Sequence, residues 1–232
     1  MLACGAYFVS RGDLTVFTTF FMLWLVNLGI DSGMTTEEAT RRGGPLFGIA
    51  QLSMLVFTPV MGIVCDRFDR VTAVGIGMFV AFAGYLALGI VEDPFNSPWM
   101  YLAAVMGGAG EAAVVVSGPA LVGQEATPKV RGSIIGVVAF SGAIGVLLNS
   151  WISGELFDAW MYQAPFVFMA GMNLSVCIAC IAMRIWETKT GAKVPLPSAV
   201  SRRAVAAREA QTKATATLSA AVPADTTPPT SI

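Results

Sequence analysis

Three residues with ionisable side chains stand inside otherwise apolar runs: Arg11, Asp13 and Glu111. Charge in such surroundings is expensive and ordinarily faces a cavity or another polar group. The chemistry open to these residues is therefore binding and release of an ion, a proton or a polar solute. Other chemistries are closed by composition. The chain has no histidine, so Ser-His and Cys-His nucleophile pairs and histidine metal sites are ruled out. An aspartyl intramembrane protease needs two facing aspartates, and Asp13 has no second mid-span aspartate to face. Cys177 and Cys180 form a C-x-x-C. It lies within the apolar run Ser175-Val-Cys-Ile-Ala-Cys-Ile181, without the helix N-terminus and polar access that a reactive dithiol requires, and reads as small packing residues. No enzyme activity, metal or cofactor is expected.

The elements that position these residues follow from hydropathy. Of 232 residues, 55% are hydrophobic and 12% charged, about half the charged fraction of an ordinary soluble domain. The apolar residues come in blocks near the ~20 residues that cross ~30 Å of hydrocarbon as a helix. Six spans are expected, at about 6–30, 45–65, 71–91, 99–123, 133–154 and 164–186. The fold class is thus an all-α integral membrane protein. Residues 191–232, rich in Ala, Thr, Ser and Pro, are expected to form a tail with too little apolar surface to offset ordering. The net charge of −1 gives no reason to expect a nucleic-acid partner.

Basic residues orient the spans. The loops after spans two and four carry Arg67, Arg70, Lys129 and Arg131, and the end of span six with the tail carries seven more Lys and Arg from Arg184 to Lys213. The opposite loops carry Arg41 and Arg42 beside Glu37, Glu38, Glu92, Asp93, Glu155 and Asp158. By the positive-inside rule both ends face the cytoplasm, across the plasma membrane. A faint internal symmetry agrees. Span two ends Gly62-Ile-Val-Cys-Asp66, and span five ends Gly154-Glu-Leu-Phe-Asp158 on the other face, as in an inverted 3+3 repeat.

The run Gly62-Ile-Val-Cys-Asp66-Arg67-Phe68-Asp69-Arg70 resembles the G-x-x-x-D-R-x-G-R loop of major facilitator transporters, with Asp69 standing where that family favours Gly. The loop Glu125-Ala-Thr-Pro-Lys-Val-Arg131-Gly132 is similar to one between the fourth and fifth helices of that family's second half. The resemblance implies half of a major facilitator fold, the second six of twelve helices. It also implies that Gly62 lets helices approach closely, that Asp66 meets a helix N-terminus or a basic residue, and that Arg67 and Arg70 anchor at the inner interface. Gly132 and Gly136 would form a small-x-x-x-small packing face.

In that family the first helix of each triplet lines the central path, which places Arg11, Asp13 and Glu111 on its wall. Arg11 and Asp13, two residues apart, project to different sides of a helix. Counted from the outer helix ends at ~1.5 Å per residue, Arg11 and Glu111 differ by ~10 Å in depth, which disfavours a direct pair. The alternative for Arg11 and Asp13 is a position near the inner interface with extended side chains. For Glu111 it is a structural hydrogen bond. Gln51, Asn149 and Asn173 are expected to bridge helices.

The activity implied is secondary transport of a small solute by alternating access, with proton-driven efflux of drugs or metabolites as its form. The expected partners are the bilayer, the solute, and a missing N-terminal half or a second copy. The apolar start of the chain suits a piece of a longer protein. Alternatives are a half-size homodimeric transporter and a channel or structural membrane protein.

Overall fold

The computed structural model describes residues 2–122 and 131–190. The expectations for Glu125 and for residues 191–232 lie outside them, as do those for the side chains of Arg70 and Arg131. The described residues form six helices: α1 (Leu2–Asp31), α2 (Thr36–Arg67), α3 (Arg70–Ile90), α4 (Trp99–Val122), α5 (Arg131–Ala159) and α6 (Ala164–Thr190). Each is long and apolar enough to cross a membrane. Within a bilayer no water satisfies backbone polar groups, so a helix, which closes its own hydrogen bonds, is what such runs form.

The helices are joined by compact, capped turns. α1 ends at Gly33, in the left-handed region at φ 86°. The Gly33 N–H donates to Ile30 O at 2.9 Å and the Met34 N–H to Gly29 O at 3.0 Å. This is the paired closure of a Schellman motif, open to glycine at no steric cost. The expected polar turn over Asp31–Gly44 is much shorter than its composition suggests. α2 begins at Thr36, capped by Thr35, whose side chain accepts from the Glu38 N–H at 3.2 Å. Arg42 then pairs with Glu38 at 2.8 Å, one turn along. Pro45 therefore stands inside α2 rather than in its first turn. Between α3 and α4, Asp93 folds the chain back. Its carboxylate accepts from the Asn96 side chain at 2.8 Å and from the Phe95 and Asn96 N–H groups. The Asn96 amide, followed by these backbone donors, holds the Asp93 carboxyl below its ordinary range.

Packing follows an exchange of triplets. α1 lies chiefly against α5, and α2 chiefly against α4, while α3 lies against both α4 and α6. First and second helices of opposite triplets thus pair crosswise, as the inverted repeat requires. The two positions that suggested the repeat share an environment: Gly62 and Gly154 are half-buried beside open space, and Asp66 and Asp158 are exposed.

Small residues allow the close contacts. A Cβ on Gly108 would strike the Ala50 carbonyl of α2, one on Gly145 the Phe8 carbonyl of α1, and one on Gly110 the Ala81 backbone of α3. Helices in lipid associate through such close packing, since apolar burial alone gains little against lipid tails. Ser53 adds a bond to Val105 O at 2.8 Å, and Ser10 one to Val114 O at 3.0 Å, tying α2 and α1 to α4. The buried centre holds Phe17, Phe21, Trp24, Tyr85 and Phe166, with Tyr85 stacked on Phe166 at 6.4 Å and edge-on to Phe17 at 5.9 Å.

Candidate functional site

Asp13 lies on α1, one turn before Phe17, and is fully buried. Val16, Phe17 and Phe20 on the same inward side bury that face of the helix. Gly12 beside it packs on Asn149 of α5. The partner of Asp13 comes from α6. Asn173 Nδ2 donates to Asp13 Oδ2 at 2.8 Å and Oδ1 at 3.1 Å, and to its own helix at Met169 O, 3.0 Å away. Tyr85 of α3 reaches the Asp13 backbone carbonyl at 3.5 Å. Glu111 of α4 is also fully buried, and neither of its carboxylate oxygens has a hydrogen-bond partner. The Asn173 Oδ1 is likewise buried without a donor.

The structure therefore buries two of the three charged residues inside the six-helix unit and parts them from the third. Arg11 is exposed on the other side of α1, with Thr18 and Thr19 exposed further along and Thr15 half-buried. Its stem runs against Gly142 of α5, and among the described residues it forms no ion pair. The ~10 Å depth mismatch that disfavoured an Arg11–Glu111 pair is joined by a difference of face. Of the expected wall residues, only Arg11 stands on an open surface. Asp13 and Glu111 point into the six-helix unit instead, because α4 is packed between α2 and α3 and is buried over Gly107–Val114.

Among the described residues, the contacts that the loop resemblance implies are not made inside this unit. A Cβ on Gly62, Gly132 or Gly136 would meet nothing within 4 Å, so none of the three is a close-approach point within this unit. Asp66 and Arg67 are exposed, and among the described residues Asp66 has no ion pair or side-chain hydrogen bond. The organising residue is Asp69, the departure from the family pattern. It caps α3 by accepting from the Thr72 N–H at 3.1 Å and the Thr72 hydroxyl at 2.9 Å. It also takes the Arg184 guanidinium of α6, which bonds Glu187 at 3.3 Å as well. An Asp three residues ahead of a Thr, just before an apolar run, is an N-cap signal; its long-range partner has no signal in sequence.

Sequence reasoning also missed Tyr85. A tyrosine in mid-span carries one hint, since a buried hydroxyl seeks a partner. Of the three amides expected to bridge helices, Asn173 joins α6 to α1, and Asn149 reaches Phe8 O of α1 at 3.5 Å. Gln51 Nε2 is buried without a partner. Cys177 and Cys180 are buried free thiols on α6.

Known proteins are similar to this chain in fold or in sequence. The peptide transporter POT, in its crystal structure with sulfate, superposes with a TM-score of 0.65 at 17% identity, over 94% of this chain and 45% of that one. Magnetosome protein MamZ of Paramagnetospirillum magneticum is 30% identical over 179 residues, which is 76% of this chain and 27% of MamZ. Multidrug resistance protein MdtH of Enterobacter sp. is 23% identical over 78% of this chain and 43% of MdtH. The chain thus spans less than half the length of each. The family model described as Major Facilitator Superfamily matches residues 3–224. With six apolar helices in crosswise triplets and a family match over nearly its whole length, the chain is a multi-pass membrane protein that belongs to the major facilitator superfamily.

Proposed function

We propose that the chain works as the second six-helix half of a secondary active transporter, moving a small solute by alternating access. Both ends of the unit face the cytoplasm across the plasma membrane, as the distribution of Lys and Arg favours. The observation that carries this reading is the open side of α1. It bears Arg11 and a run of threonine hydroxyls, while α2 and α5 leave apolar faces uncovered, including Leu52, Leu55 and Val56 on α2 and Leu147 and Trp151 on α5. A polar stripe on a helix packed against two such helices is half of a solute path that needs a second wall. That wall is another six-helix unit, either a preceding half or a second copy of this chain. A basic residue on the stripe favours solutes with an anionic group. The names multidrug resistance protein and peptide transporter carried by similar proteins support organic solutes and efflux. The reading is of a transporter without enzymatic chemistry.

The test is energy-dependent efflux of a panel of fluorescent organic anions and cations, from cells that lack their own multidrug pumps and express the chain together with the six-helix unit that supplies its second wall. Efflux that stops on adding a protonophore, and falls about tenfold or more in R11A, is the expected result. Efflux indistinguishable from empty-vector cells across the panel would overturn the reading.

A further inference from the structure

Where α3 and α6 lie side by side, their outer surface is furrowed rather than smooth. Gly75 of α3 with Cys177 and Cys180 of α6 forms a recessed floor, and Phe79, Ile181 and Ile185 stand exposed beside it. The recess exists because the floor residues are small. A Cβ on Gly75 would come within 3.3 Å of the Cys180 Cβ, so the two helices meet closely there and neither fills the space above the contact. The furrow holds about 380 Å³, within the ~300–1,000 Å³ of ordinary small-molecule sites.

Its length and its charged end say what fits. From Arg184 back to Cys177 it runs ~10 Å along α6, at ~1.5 Å per residue. That lies within one leaflet, ~15 Å or half of the hydrocarbon core. Spread over that length, the volume leaves a cross-section of ~40 Å², room for a hydrocarbon chain and not for a helix ~10 Å across. The end toward the α2–α3 turn carries Arg184, which donates to Asp69 and Glu187. A guanidinium has five N–H donors, so others remain for an acceptor at headgroup level, and their planar fork suits phosphate oxygens. Thr72, the other polar lining residue, spends its hydroxyl on Asp69. Among the described side chains in this ion-pair cluster, two carboxylates stand beside one cation. A lipid with net negative charge meets repulsion there. A headgroup carrying both signs is complementary, with its phosphate on Arg184 and its cationic end beside the carboxylates.

We propose that this furrow seats one zwitterionic phospholipid, with an acyl chain between α3 and α6 and its phosphate on Arg184, in the leaflet on the side of the α2–α3 turn. α3 and α6 are the third helices of the two triplets, so the lipid bridges both triplets from outside. No lining residue belongs to α1, which sets the site apart from the proposed solute path.

The test uses the purified chain in maltoside micelles with phosphatidylcholine that carries a diazirine in its acyl chain. After illumination, peptide mass spectrometry locates the label. Label concentrated on residues 71–79 and 177–185, and displaced by unlabelled phosphatidylcholine, is the expected result. Phosphatidylglycerol lacks the cationic end and diacylglycerol lacks the phosphate. Each should displace the label about tenfold less well, the ratio that one lost charged contact implies. R184Q should lower labelling of both segments by a similar factor, and C177F, which fills the floor, should abolish it. Label spread evenly over these segments and other exposed positions such as Leu55 and Ile90 would mean bulk lipid and overturn the site. So would equal displacement by diacylglycerol or phosphatidylglycerol, or unchanged labelling in R184Q. Absence of label from both segments, as a second copy seated on the furrow would produce, overturns it as well. Circular dichroism checks the fold of each variant, and the wild-type displacement series decides where a variant does not fold.

Discussion

At the scale of single residues, the identity of a charge and its place in sequence say that it matters but not which way it faces. Arg11 and Asp13 are two positions apart, and one is exposed while the other is sealed. The difference arises because Asp13 falls on the same side of α1 as Phe17 and Phe20, and Arg11 does not. The Asp13–Asn173 contact makes a clear prediction. N173A leaves a buried carboxylate without its donors, which should cost ~1–3 kcal/mol, measured by denaturant unfolding of the purified protein in mixed micelles. The exchanged pair, D13N with N173D, rebuilds an amide facing a carboxylate and should recover most of that loss. An exchange no more stable than N173A alone would show that the contact is incidental to packing.

At the scale of elements, close contact rather than motif membership decides which glycines are needed. G108A drives a Cβ into the Ala50 carbonyl of α2, and overpacking of this kind costs ~1–3 kcal/mol. G62A and G132A meet open space and should be neutral or gain up to ~1 kcal/mol from better helix propensity. The same unfolding titration ranks all three, and G62A as damaging as G108A would restore the packing role that the loop resemblance implied. The inner end of α3 offers a second case. D69A removes an N-cap and the seat of Arg184 together. The cap is worth ~1 kcal/mol, and the partly exposed ion pair adds little beyond it. R184A should therefore be milder than D69A in thermal melts; the reverse order would make the ion pair the dominant tie.

At the scale of the whole molecule, the uncovered faces of α2 and α5 and the distribution of basic residues make predictions about surroundings. With the native cysteines replaced, a cysteine in place of Asp66 should react with a membrane-impermeant maleimide only in inside-out vesicles. One in place of Ser32 should react only in intact cells. Labelling of both from the same side would overturn the six-span topology. A cysteine at Leu55 should cross-link to a second six-helix unit. The mass of the adduct distinguishes a second copy of this chain from a different partner, and a monomer after exhaustive oxidation would leave the face to lipid.

The sequence by itself determined the membrane class and the six apolar elements, and it sets an expectation for their sidedness. These rest on local quantities: the length of an apolar run against the thickness of hydrocarbon, and the sign of charge in short loops. It also marked Glu111 and Asp13 as costly. Even locally it stumbled where polar residues are good helix formers. Glu37 to Arg42 looked like a turn and is the first turns of α2, because a Thr35 cap and a Glu38–Arg42 pair sustain a helix without apolar residues. Only the tertiary structure decided the long-range pairings: Asp13 with Asn173 at 160 residues' separation, and Asp69 with Arg184 at 115. In a helix almost uniformly apolar around its circumference, such as α4, no stripe in the sequence tells the inward side from the outward. Which neighbour lies against Glu111, and so whether that carboxylate meets solute or stays sealed, is settled by the packing of the other helices.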